Sequence, residues 1–129
     1  MKPLRPPKPT EAELSILRVL WQRGPSTVRE VWEELRPEQG TGYTTVLKTM
    51  QIMFDKGLLK RNETERSHVY AAARSREQTQ RQVVGHLLER LFSGSAPQLV
   101  MQALAGSKAS SEELAEIRKL LDKMEGGPK

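Results

Sequence analysis

Apolar residues recur along this chain at helical spacing, broken at regular intervals by glycine, proline and hydroxyl residues. Leu14, Leu17, Leu20 and Trp21 fall on one helical face. Thr10 and Glu13 stand at capping-box spacing before them, and Gly24-Pro25 ends the run. A second helix begins at once: Thr27 and Glu30 repeat the box, and Val28, Val31, Trp32 and Leu35 form its stripe. Arg36-Pro37 is expected to close it, leaving Pro37 to Gly42 as a loop. A third helix is predicted from Tyr43 to Lys56, with Val46, Met50, Met53 and Phe54 facing a core and Gly57 as a left-handed cap. Its other face carries Thr44, Lys48, Gln51 and Asp55.

The period then changes. Leu58 to Arg61 and His68 to Ala71 read as two strands, and polar Asn62 to Ser67 supplies their turn. Two short helices, a third, and then a hairpin make a winged helix-turn-helix pattern. After Ala73 only helical periodicity remains. Val84, Leu87, Leu88, Leu91 and Phe92 make a broad stripe, and Ser93-Gly94-Ser95 breaks it. Pro97 opens a short helix with Leu99, Val100, Ala103 and Leu104, ended by Gly106. Ser110 and Glu113 cap a last helix with Leu114, Ile117, Leu120, Leu121 and Met124 on one side. These helices expose more apolar surface than a monomer tolerates, so Val84, Leu87, Leu88, Leu91, Phe92, Leu99, Leu104, Leu114, Ile117 and Leu121 are expected to form a homodimer interface.

The expected architecture is therefore mainly α: a winged helix-turn-helix domain with a small β-hairpin wing, plus a C-terminal helical dimerisation module. The boundaries are a flexible basic proline-rich arm at 1–9, the winged helix at 10–75, and the helical module at 76–125. Four prolines among the first nine residues give the arm its extended character. Its lack of an apolar stretch argues against a signal peptide.

Charge sharpens the picture. The 129 residues carry a formal charge of +5. Residues 1–75 hold 13 Lys/Arg against 9 Asp/Glu, whereas residues 76–129 hold 8 against 7. Positive charge thus gathers on the half with the third helix and hairpin, as a phosphate-facing surface requires. There is no cysteine, which removes disulfides, thiolate metal sites and thiol nucleophiles and fits a reducing cytoplasm. The two histidines, His68 and His86, lie in different segments without an acidic partner at a telling spacing. With no glycine-rich phosphate loop or nucleophile motif either, neither an enzyme nor a cofactor is expected.

The chemistry that remains is recognition of DNA. The major groove admits one helix whose side chains reach base edges, while cations and amides hold phosphates. Thr44 and Thr45 supply hydroxyls and methyls; Lys48, one turn on, reaches a guanine edge or a phosphate. Tyr43 stands at the amino-terminal end, Ser26 and Arg29 are expected as phosphate clamps, and Arg66 and His68 lie on the wing. The competing reading is a protein-interaction adaptor using the same scaffold. It lacks a use for Lys48 and Arg66.

The runs TEAELSILRVLW, STVREVWEEL, GYTTVLKTMQIMFDKGLLKR, SHVYAA and ASSEELAEIRKLL resemble the penicillinase-repressor family, the BlaI/MecI/CopY group. The resemblance implies a dimer joined through C-terminal helices, a palindromic operator in double-stranded DNA, and Tyr43, Thr44, Thr45 and Lys48 on the recognition helix. It also implies, for the antibiotic-responsive members, an upstream membrane sensor-protease whose signal leads to cutting at an Asn–Phe bond. Gln102-Ala103 stands at the matching position and departs from that pair. The cysteine cluster of the copper-responsive members is missing, which excludes copper sensing by that route.

Overall fold

A computed structural model describes residues 7–64 and 66–126. The first six residues of the expected arm lie outside these. Pro9, at the arm's other end, is buried.

Helix α1 spans Glu11–Arg23 and α2 spans Val28–Gln39. Both open on complete capping boxes. The Thr10 and Thr27 hydroxyls accept the amides of Glu13 and Glu30, whose carboxylates accept the threonine amides in return. Two expectations around α2 need correction. Pro37 does not close it but sits in its last turn, and Gly40, with φ 61°, caps it by donating its amide to the Arg36 carbonyl at 3.0 Å. Proline's fixed φ suits a helix, and its cost is the lost amide partner for the carbonyl of Glu33, an exposed residue. The second correction lies before the helix. Ser26–Thr27 form a short strand, β1.

Helix α3 spans Tyr43–Lys56 and leads through Gly57 (φ 86°) into β2, Leu59–Asn62, and β3, Val69–Ala72. The strands pair antiparallel in the order β1-β3-β2. Register places Ser26 opposite Tyr70 on one side of β3 and Arg61 opposite Tyr70 on the other. The hairpin of the sequence pattern thus supplies one edge, β2, and the centre, β3, of a three-stranded sheet whose other edge is β1.

The core gathers where these elements meet. Leu17, Leu20, Val31, Val46, Met50, Met53, Leu59 and Tyr70 are buried in one cluster. Among the described residues one charged side chain is buried with them: Glu13, 3% exposed, receives a hydrogen bond of 2.8 Å from the Lys56 ammonium. It fastens the start of α1 to the end of α3. Burial pushes the Glu13 carboxyl up, but hydrogen bonds from Lys56 and Thr10 outweigh it and leave the pKa below its ordinary value.

Helix α4, Arg76–Leu91, is continuous, yet the chain divides into two compact units after Val84 rather than at 75/76. The first two turns of α4 belong with the winged helix because Thr79 is buried there and the Arg76 guanidinium lies 5.7 Å from the Trp21 ring centre. In the second unit, Ser93 and Gly94 both take positive φ and turn the chain into α5, Ala96–Ala105. Ser95 caps that helix, and Ser110 and Glu113 cap α6, Ser111–Gly126. Neither α5 nor α6 contains a buried residue.

Candidate nucleic-acid interface

The amino end of α3 differs from those of α1, α2 and α6. Gly42 precedes it, with no side chain to cap the first amides and no acid in the first turn. Those amides, and the positive end of the helix dipole, are left open to an anion. Thr44, Thr45 and Lys48 all project exposed from the first turns.

The position of this helix end is fixed from behind by Trp32. Its indole N–H donates to the Thr41 carbonyl at 2.9 Å, and its ring meets Tyr43 edge-on with centroids 5.9 Å apart. The Arg36 guanidinium lies 5.1 Å from the Trp32 ring centre. Tyr43 is therefore half packed and half exposed, at 41%. The other end of α3 is held by Gly57 and by the Lys56–Glu13 pair.

Beside α3 runs an open cleft of about 410 Å³ where the start of α2, one side of α3 and the wing converge. Arg29, Tyr43, Gln51, Arg66, Ser67 and His68 line it. Four expected contact residues are thereby brought to one place from three elements. Thr44, Thr45 and Lys48 stand on the neighbouring face of α3 rather than in the cleft. Arg29 also forms an i,i+4 pair with Glu33 at 3.1 Å, so an incoming phosphate competes with that carboxylate for it.

Ser26 does not join this surface. It is 1% exposed, and its hydroxyl donates to the Gly24 carbonyl at 2.9 Å. The β1–β3 pairing turns Ser26 inward and takes away its expected role as a phosphate clamp. Gln51 and Ser67 are the additions. Gln51 was legible as a polar residue on the open face of α3, two turns beyond Tyr43, whereas Ser67 had no local signal.

The wing has its own internal fastening. Arg61 lies 3.9 Å from the Phe54 ring centre and donates to the Glu63 carboxylate at 2.6 Å. It joins the base of the wing to the back of α3, so those two contact elements are held in register. Among the described residues no three His, Asp or Glu side chains cluster as a metal site, and no helix is long and apolar enough to cross a membrane.

The expected dimer residues lie on α4 to α6. Leu88, Phe92, Leu99, Leu114 and Ile117 are half-buried, whereas Val84, Leu87, Leu91, Leu104 and Leu121 are exposed. Leu91 reaches 69% exposure and Met124, beyond the expected set, 70%. The second unit therefore presents an apolar face without a closed core of its own.

Comparison with known proteins matches this arrangement. The transcriptional regulator BlaI of Mycobacterium tuberculosis is 28% identical over 122 residues, covering 91% of this chain and 85% of that protein. The penicillinase repressor of Bacillus licheniformis is 26% identical over 117 residues, covering 90% and 91% respectively. A solution structure of the DNA-binding domain of the repressor BlaI superposes with a TM-score of 0.52 at 25% identity, covering 59% of this chain and 90% of that domain. The family model for penicillinase repressors matches residues 9–123, and the chain belongs to that family.

Proposed function

We propose that this protein is a DNA-binding transcriptional repressor that works as a homodimer on a two-fold operator, with α3 of each copy in the major groove. The observation that carries the reading is the open amino end of α3, with Thr44, Thr45 and Lys48 exposed beside a cleft lined by Arg29, Arg66 and His68. Short hydroxyl side chains suit close approach to base edges, and Lys48 extends one turn further to a guanine or a phosphate. The cleft residues hold the flanking backbone and set the angle of entry.

Pairing through the exposed apolar faces of α4 to α6 supplies the second copy. Two recognition helices then engage half-sites about one helical turn, roughly 34 Å, apart. Occupying the promoter blocks transcription. An upstream sensor-protease would need another cutting site, since Gln102-Ala103, though exposed on α5, departs from the Asn–Phe pair.

The deciding experiment is binding to DNA upstream of the protein's own gene, titrated with salt and with nonspecific competitor. Tight, competitor-resistant binding with a steep salt slope is expected. Lys48→Ala should weaken it about tenfold and lower the slope by about one ion if Lys48 holds a phosphate. Binding that competitor abolishes would favour the adaptor reading, and an unchanged Lys48→Ala would remove Lys48 from the interface.

A further inference from the structure

A second concavity lies within the first unit. It is an open groove of about 510 Å³ between α1 and the first two turns of α4. Leu14, Trp21, Val83 and Val84 give it an apolar floor, and Thr79, 5% exposed, sits in its wall. The Trp21 indole is not free to swing, because its N–H donates to the Arg74 carbonyl at 3.0 Å. The floor is thus formed before any occupant arrives, within the size range of small-molecule sites.

The rim is one-signed. Arg18 and Arg76 both line the groove, with the Arg76 guanidinium against the face of Trp21. No Asp or Glu lines it, and neither arginine has a carboxylate partner among the described residues. The remaining rim positions, Gln22 and Gln80, are neutral donors and acceptors. None of these residues takes part in the DNA surface proposed above.

We propose that this groove binds a small amphiphilic anion: a flat apolar body against Trp21, Leu14 and Val83, with one carboxylate between Arg18 and Arg76. The apolar floor disfavours a polyanion such as free phosphate, which would leave buried hydrocarbon uncovered. The two guanidinium groups on the rim disfavour a neutral apolar ligand, which would leave them without a counter-charge. A planar aromatic carboxylate satisfies both, with its ring on the apolar floor of Leu14, Trp21 and Val83.

The test uses naphthalene-2-carboxylate as probe on the full chain, followed through the two tryptophan indole N–H resonances. Saturable binding of one probe per chain is expected to move the Trp21 signal and leave that of Trp32, on α2 against the start of α3, in place. The neutral alcohol naphthalen-2-ylmethanol should bind at least tenfold more weakly. Arg18→Gln with Arg76→Gln should weaken the carboxylate at least tenfold without changing the alcohol. Both arginines are exposed, so the fold survives their replacement, and the unmoved Trp32 signal reports that it has. No saturable shift of Trp21 would overturn the proposal, as would equal affinity for carboxylate and alcohol. Shifts centred on the exposed face of α5 and α6 would do the same.

Discussion

Replacing Lys56 with methionine isolates the contact that ties the two ends of the winged helix together. Methionine keeps most of the apolar stem but removes the ammonium, leaving the Glu13 carboxylate almost fully buried with only Thr10 as donor. Breaking a wholly buried pair from one side costs about 3–5 kcal/mol. Lys56 keeps 34% side-chain exposure, so water and salt already screen it and the expected loss is about 1–3 kcal/mol at neutral pH. The sign with pH follows from Glu13. Its folded-state pKa is lowered, so its contribution is present above the unfolded carboxylate pKa and disappears as pH falls through the folded value. Without Lys56 the desolvation of Glu13 is no longer outweighed, and its pKa rises. The stability gap between parent and variant should therefore be largest near pH 7 and shrink towards pH 3. Urea unfolding followed by tryptophan fluorescence measures it, with a midpoint shift of about 1 M for a loss of 2 kcal/mol. Equal midpoints at pH 7, or a gap unchanged at pH 3, would refute the reasoning.

Other perturbations probe other joints. Trp32→Phe keeps an aromatic edge for Tyr43 but loses the hydrogen bond to the Thr41 carbonyl, so it should cost about 1–2 kcal/mol and lower operator affinity several-fold. An unchanged affinity would show that the start of α3 is set elsewhere. Gly57→Ala should cost about 1–2 kcal/mol, because φ of 86° is strained for any residue with a Cβ even though open space surrounds it. Normal stability in thermal melts would mean that the turn rearranges. Leu88→Asp with Leu91→Asp should convert dimer to monomer in sedimentation while leaving circular dichroism little changed. A persistent dimer would place the interface elsewhere.

Much of this molecule is written locally. Capping boxes at Thr10, Thr27 and Ser110, the glycine after Lys56, and apolar spacing within α1 to α3 depend on residues three or four positions apart, and these elements form as the sequence pattern predicts. The open polar face of α3 follows from the same periodicity, since burying Val46, Met50 and Met53 turns Thr44, Thr45 and Lys48 outward. Pro37 was misread because local rules treat proline as a stop, whereas its fixed φ is compatible with a helix and the bond it forgoes is at exposed Glu33.

Pairings across long separations were settled only by tertiary structure. Two residues, Ser26 and Thr27, are too few to show a strand period, and they become β1 because Val69 and Tyr70 offer them an edge. That pairing buries the Ser26 hydroxyl and removes it from the interface. The meeting of Arg29, Tyr43, Arg66 and His68 around one cleft likewise needs the wing folded against α2 and α3. The Glu13–Lys56 pair spans 43 positions and pairs charges that helix patterning alone assigns to solvent. Sequence determined which faces each helix would hide, because burial acts along a single element. Which charges stayed free to meet DNA was decided by the partners that the fold brought to them.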